Sequence, residues 1–135
     1  DWVREVMAYA SCEIPTEKIL MGIPYYGRSW RVNDQGTGWT SEAFGLAGAL
    51  KKAEQYGATI TRETTPTDPV GIPTFKYVDE SGRSWTAYFD DRLSWAAKLD
   101  LLDSYNLGGI GGWAMNWIID TSAPELYPLL KERLQ

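Results

Sequence analysis

Two short apolar stretches organise this 135-residue chain. The first, residues 19–23, shows no polar alternation, which is typical of a strand buried on both faces, and Pro24 and Gly27 then break it. The second, residues 107–112, is small and apolar and leads into Trp113. Ligands of parallel α/β folds bind at the carboxyl ends of strands. Because aromatic and polar side chains follow both stretches, the pattern predicts one shared site, although two core strands with ordinary aromatic packing would give the same pattern.

Four amphipathic helices are predicted from apolar residues that recur three and four positions apart. The second ends at Gly57, the usual kind of residue after a helix, and the third begins beside Asp90 and Asp91, either of which can cap it. The buried stripe of the third helix is predicted to include Leu93 and Leu101. In order, the four helices are expected near residues 1–11, 46–53, 90–104 and 123–134.

The segment between the two apolar stretches predicts strands of its own. Aromatic residues alternate with other residues in 75–78 and again in 85–89, and a turn at 79–82 separates them, which indicates a β-hairpin. A further strand is expected at residues 58–63. The glycine-containing residues 31–40 and the proline-containing residues 64–73 are expected to be loops.

Composition excludes several classes of function. The net charge is −5, and the basic residues are scattered, whereas nucleic acids and anionic membranes are bound through clustered positive charge. No apolar run approaches the roughly 18 residues of a membrane span. Cys12 is alone, so no internal disulfide forms, and histidine is absent, which removes Ser-His and Cys-His pairs and histidine-ligated metals. The sequence indicates no metal and no cofactor, while seven Trp and eight Tyr suit a sugar-binding cleft.

Three motifs resemble the family 18 glycoside hydrolases, the chitinase-like (β/α)8 barrels. Residues 18–28, with the triplet Tyr26-Gly27-Arg28, look like the seventh barrel strand, and residues 108–113 look like the eighth. The segment 88–94 is similar to the one that leads into the helix before the eighth strand. The resemblance implies an α/β fold, namely the C-terminal part of a (β/α)8 TIM barrel with an inserted small α+β domain.

A complete barrel needs roughly 200 residues or more, so we expect this chain to be a piece of a longer protein. The implied division is a barrel segment at 1–30, the chitinase insertion domain at 31–89 and a second barrel segment at 90–135. Because both barrel strands would lack a neighbour, we expect the excised chain to associate with itself.

The resemblance also implies a hydrolase, a glycosidase that cleaves β-linked N-acetylglucosamine glycans such as chitin or peptidoglycan-like chains. Family 18 enzymes use the substrate's own N-acetyl group with a single catalytic Glu, which ends an Asp-x-x-Asp-x-Asp-x-Glu run. That run is absent here, so we expect this chain to contain no catalytic residue and to be inactive alone. Its expected role is to supply groove walls for a β-1,4-linked N-acetylglucosamine-containing glycan.

Three residues are the candidates for glycan binding. Trp113 aligns with the family's aromatic floor beneath the sugar, and Tyr26 and Arg28 align with groove-lining positions. The alternatives are a core position for Trp113 and, for Arg28, an ion pair with Asp90 or Asp91. Glu63 lies in a predicted strand without a recognisable partner. Three other aromatic residues are weaker candidates for glycan binding, and packing is the favoured role for them. Those three are Tyr25, Trp30 and Trp39.

The insertion resembles bacterial spore-cortex and cell-wall members of the family, which implies a secreted or cell-envelope protein. Two other functions fit the same sequence. One is a carbohydrate-binding, chitinase-like lectin that has lost the upstream Glu. The other is an α+β interaction module unconnected with sugar.

Overall fold

The computed structural model of the protein describes residues 2–118 and 125–134. It is a mixed α/β structure with two separate sheets. Among the helices of these two ranges, none combines the length and the apolar content needed to cross a bilayer. The elements in chain order are α1 (Trp2–Glu13), β1 (Leu20–Pro24), β2 (Gly27–Val32), β3 (Trp39–Phe44), α2 (Leu46–Gln55), β4 (Thr61–Thr65), β5 (Asp68–Val78), β6 (Ser84–Tyr88), α3 (Arg92–Ser104), β7 (Gly109–Trp113), α4 (Met115–Ile118) and α5 (Leu126–Arg133).

The first sheet is a parallel pair formed by β1 and β7, the two stretches that the sequence singles out. Met21 and Ile23 are buried on the face that the helices cover, and α3 packs against β1. The prediction of two covered faces is wrong for the described residues, because Leu20, on the opposite face, is 67% exposed. One face of this sheet is therefore uncovered by the described part of the chain.

The second sheet is antiparallel, with the strand order β3-β2-β6-β5-β4. The predicted hairpin is confirmed as β5 and β6, with Phe75 opposite Ala87 and Tyr77 opposite Trp85. These four residues are buried on one face of the sheet, together with the apolar side of α2. The alternation of buried and exposed residues thus gives the sheet one core face and one outer face.

Two predicted loops are partly strand. Residues 31–40 contain the end of β2 and the start of β3, so the boundary predicted between residues 30 and 31 falls inside β2. Residues 64–73 contain the first half of β5, including Pro69 and Pro73. Prolines are tolerated there because β6 pairs with β5 only from Thr74 onward. Beyond that point the Phe89 N–H donates to the Pro73 carbonyl at 3.2 Å, which uses an acceptor that proline retains.

The helix α3 begins as predicted but turns a different face to the core. Asp91 is the N-cap: the backbone N–H of Ser94 donates to Asp91 at 3.0 Å, and the Asp91 N–H donates to Ser94 Oγ at 3.0 Å. Leu101 is buried, but Leu93 is 60% exposed, and Trp95 is buried instead. Trp95 Nε1 donates to the Pro24 carbonyl, so contact with the end of β1 sets the rotation of the helix. The predicted start of the last helix near residue 123 lies outside the described residues.

Candidate functional site

The carboxyl ends of β1 and β7 meet, as the shared-site prediction requires. Pro24 is the register partner of Trp113, and the Tyr25 N–H donates to the Trp113 carbonyl at 2.7 Å. Trp113 is 73% exposed, and the peptide bond that joins it to Ala114 is cis. A core position for Trp113 is therefore wrong within the described residues, and its indole is available at the end of the parallel pair.

The side chain of Tyr25 packs against the end of β7. Its side chain is buried, in agreement with the packing role predicted for it, and its ring lies against Gly112. A Cβ at Gly112 would come 2.1 Å from the Tyr25 ring, so only glycine leaves room for it. Burial raises the pKa of the Tyr25 hydroxyl.

Arg28 is held by aromatic rings and a hydroxyl group. Its guanidinium lies 5.8 Å from the ring centroids of both Tyr26 and Trp30, within the range of cation–π attraction. Its Nη1 donates to Ser41 Oγ at 2.7 Å. The structure therefore places Tyr26 and Arg28 next to each other, directly after the end of β1.

The alternative prediction, an ion pair between Arg28 and Asp90 or Asp91, is wrong. Asp90 pairs with Lys98 at 2.6 Å, and Asp91 pairs with Arg62 at 2.6 Å. The spacing of residues along the sequence does not identify Lys98 and Arg62 as the partners of these two carboxylates. Within the described ranges, no carboxylate forms an ion pair with Arg28.

Two further aromatic residues contradict the packing role predicted for them. Trp30 is 40% exposed and Trp39 is 70% exposed. With Thr86 and Tyr88 they line a cavity of about 410 Å³ on the outer face of the five-stranded sheet. The sequence contained a signal for the exposure of Trp30. Arg28, Trp30 and Val32 alternate along residues 27–32, so they share one face once these residues are recognised as a strand.

The carboxylates of Glu42 and Asp91 are engaged in structural contacts. Burial acts to raise the pKa of Glu42, but hydrogen bonds from Lys52 and Tyr77 outweigh it and hold that pKa below its usual value. The pKa of Asp91 is lowered as well, because the hydrogen bonds from Arg62 and Ser94 outweigh its burial. A general acid needs the opposite shift, a pKa raised toward neutrality.

Glu63 and Asp120 are two further carboxylates that no sequence motif places against the groove. Glu63, which had no predicted partner, hydrogen-bonds Tyr88; burial and then this bond raise the pKa of the Tyr88 hydroxyl. Asp120 lies outside the described residues. Across 2–118 and 125–134, no three His, Cys, Asp or Glu side chains are grouped so that they could hold a metal ion.

Comparison with known proteins identifies the family. The profile of the glycosyl hydrolases family 18 matches residues 2–116. The cortical fragment-lytic enzyme of Bacillus subtilis (strain 168) is 32% identical over 123 residues, which cover 87% of this chain and 28% of that enzyme. The C-terminal domain of a proposed chitinase from Desulfitobacterium hafniense DCB-2 has a TM-score of 0.91 and 45% identity, over 99% of this chain and 40% of that one.

The Bacillus cereus spore cortex-lytic enzyme SleL has a TM-score of 0.81 and 29% identity, over 97% of this chain and 28% of SleL. The chain spans about a quarter of the length of the curated relatives it matches, with values of 28%, 26% and 25%. The resemblance drawn from the three sequence motifs, including its spore-cortex members, is confirmed. This chain belongs to the family 18 glycosyl hydrolases.

Proposed function

We propose that this chain is the C-terminal part of a glycosidase barrel and forms one wall of its substrate groove. In this proposal residues 1–30 and 90–135 are barrel segments, and residues 31–89 are the inserted α+β domain. The parallel pairing of β1 with β7 supports the barrel, since parallel neighbours joined by a long connection are its basic unit. The antiparallel sheet formed between them in sequence supports the insertion.

The substrate is a β-1,4-linked N-acetylglucosamine-containing glycan, either chitin or a peptidoglycan-like chain. Two relatives are by name lytic for the spore cortex or its fragments, and another is a proposed chitinase, which supports this class. The same names support a secreted or cell-envelope location. Hydrolysis is substrate-assisted and retaining, with the catalytic Glu contributed by the rest of the protein.

One observation carries the proposal: exposed Trp113 and the stacked pair Tyr26 and Arg28 lie at the adjoining ends of the parallel strands. An indole face stacks on the apolar face of a pyranose ring. The Arg28 guanidinium has five N–H donors, and in the described structure one nitrogen bonds Ser41, so the others can bond sugar hydroxyl groups. The arrangement can therefore bind a sugar chain, while the acid that cleaves it comes from elsewhere.

The test compares the full-length protein with its Trp113→Ala variant on chitin oligosaccharides and on spore-cortex glycan. Since Trp113 is 73% exposed, the variant should keep its fold, and the loss of one stacking face should cost about 1–3 kcal/mol of binding, by analogy with base–aromatic stacking. Tyr127→Ala, which removes a ring that is 69% exposed on α5, is the control and should be without effect. Full activity of Trp113→Ala would contradict the site.

The isolated 135-residue chain provides the second arm of the test. It should release no product from either glycan, because its sequence lacks the acidic run that ends in the catalytic Glu. We also expect it to sediment as an oligomer, since one face of the parallel pair is uncovered. If the full-length protein binds glycan but never cleaves it, the chitinase-like lectin is the better description.

A further inference from the structure

The candidate site takes its residues from two sheets, so the relative position of those sheets matters for binding. Trp113 ends β7 in the parallel pair, whereas Arg28 lies on β2 in the five-stranded sheet. The chain passes from one sheet to the other at residues 25–26, and it leaves the five-stranded sheet at residues 89–91, where α3 begins. A ligand that contacts both Trp113 and Arg28 binds only while the two sheets keep one orientation.

An arginine of the five-stranded sheet binds the start of α3. Arg62 on β4 donates from Nη1 to Asp91 Oδ2 at 2.6 Å and from Nη2 to Asp91 Oδ1 at 3.3 Å. Its Nε donates to the Val70 carbonyl at 2.8 Å, and its Nη2 donates to the Gly71 carbonyl at 2.9 Å. Because a guanidinium carries five donors in a fixed plane, this one group binds β5 and the N-cap of α3 at the same time.

The N-cap that Arg62 holds is connected to the end of β1. The Trp95 N–H donates to the Asp91 carbonyl at 3.0 Å, and Trp95 Nε1 donates to the Pro24 carbonyl at 3.4 Å. Pro24 is in turn the register partner of Trp113. A short series of contacts therefore leads from the five-stranded sheet, through the first turn of α3, to the strand end that carries Trp113.

Packing leaves part of this junction open. Beside the ion pair lies a cavity of about 230 Å³, which is lined by Arg62, Asp91, Leu46, Pro73 and Glu125 among others. Leu46 and Pro73 belong to the proposed insertion, and Glu125 belongs to the proposed barrel segment. The side chains of the ion pair are each 26% exposed, so water screens their attraction only in part. At this place the ion pair, rather than apolar contact, joins the two units.

We propose that Arg62 is a positioning residue, which holds the insertion at a fixed angle to α3 and so keeps Arg28 and Trp113 in the arrangement that binds glycan. The proposal rests on the function proposed above and deepens it. Without the ion pair the insertion samples other orientations, and the apparent affinity falls with the fraction of molecules in the binding orientation. A glycan bound to both sheets restores that orientation, so the hydrolysis step itself is little changed.

The experiment measures kcat and KM of the full-length protein on chitohexaose and on spore-cortex glycan. Arg62→Gln should raise KM at least about 3-fold and leave kcat within about 2-fold, because the loss falls on binding and not on the chemical step. Arg62→Lys keeps the charge with a different donor geometry and should raise KM less. Arg83→Gln is the matched control: Arg83 pairs with Asp79 at 2.8 Å inside the β5–β6 hairpin, so its loss should leave KM unchanged.

A change at Asp91 identifies the partner through which Arg62 acts. Asp91→Asn keeps the cap of α3 and weakens the contact with Arg62, so it should raise KM as well. Because both substitutions act on the same contact, the double variant should have about the KM of Arg62→Gln alone. Increases in KM that multiply in the double variant would overturn the proposal.

The remaining outcomes separate positioning from a merely structural role. Loss of folded protein lowers kcat and leaves KM unchanged, so that result for Arg62→Gln would overturn the proposal. An equal rise in KM for Arg83→Gln, or no change for Arg62→Gln, would overturn it too, while the proposed function stands. If Arg62→Gln does not fold, the KM values of Arg62→Lys and Asp91→Asn decide in the same way. A wild-type protein that neither binds nor cleaves either glycan overturns the proposed function, and the positioning role with it.

Discussion

The glycine of the Tyr26-Gly27-Arg28 triplet permits a close approach between β2 and the end of β6. A Cβ at Gly27 would lie 2.5 Å from the Tyr88 carbonyl oxygen and 2.6 Å from Phe89 Cβ. It would also lie 2.7 Å from the Phe44 ring. Contacts below 3.0 Å do not persist, and the first two involve atoms that no side-chain rotation can move. Gly27→Ala must therefore push the strands apart.

The expected cost follows from this geometry. Extra volume in a packed interior destabilises by about 1–3 kcal/mol, and the fixed backbone contact puts Gly27→Ala at the upper end, about 3 kcal/mol. The lower backbone entropy of alanine in the unfolded chain offsets about 0.4–1 kcal/mol, which leaves a net loss of about 2–3 kcal/mol. That is a large part of the about 5–15 kcal/mol by which a domain is stable.

Urea denaturation of the chain, followed by circular dichroism, measures this cost. With a slope of about 2 kcal/mol per molar urea, the midpoint should fall by about 1–1.5 M. Gly22→Ala is the control, because Gly22 also lies in a strand and a Cβ there meets nothing within 4 Å, so its midpoint should stay the same or rise slightly. If the two variants unfold at the same urea concentration, β6 yields to the added methyl group, and the close approach does not explain the glycine.

Two polar contacts yield further predictions. Asp91→Ala should lower the free energy of unfolding by about 1–3 kcal/mol in urea titrations, because it removes the cap of α3 and leaves Arg62 without its carboxylate; Asp91→Asn, which keeps the cap, should cost less. Since the folded-state pKa of Glu42 is lowered, its contribution is present above the usual value of 4.5 and is lost as the pH falls through the lower folded pKa. Glu42→Gln should therefore flatten the loss of stability below about pH 4.5, and an unchanged acid limb would contradict the role given to Lys52.

The elements predicted correctly from sequence are those whose pattern is local. The period-two alternation around Phe75 and Trp85 reports a sheet with one buried face, and the structure has that sheet. Pro69 and Pro73 led to the wrong prediction of a loop in this part of β5. Proline argues against a strand only where that strand is paired on both sides. Which side of a strand is paired depends on residues far away in sequence, so no local pattern contains that information.

For the candidate site, too, the sequence predicts the local features correctly and misses those that depend on distant residues. Tyr26, Arg28 and Trp113 were identified by motif, and their positions at the strand ends follow from the register of β1 and β7. Of the two alternatives left open for Arg28, the ion pair with Asp90 or Asp91 is wrong, because those carboxylates pair with Lys98 and Arg62. Ion-pair partners are set by which surfaces meet in three dimensions, which the spacing of charged residues does not determine.

The aromatic surroundings of Arg28 change what this residue can do. A carboxylate partner would engage two N–H groups of a guanidinium in a fixed fork and neutralise its charge. The rings of Tyr26 and Trp30 instead contact the guanidinium without using its N–H groups, and the hydroxyl of Ser41 accepts from Nη1 alone. The N–H groups at the edge of the plane therefore stay available to uncharged acceptors such as sugar hydroxyl and N-acetyl oxygens. A guanidinium stabilised by rings therefore keeps more of its N–H groups free for a ligand than one stabilised by a carboxylate.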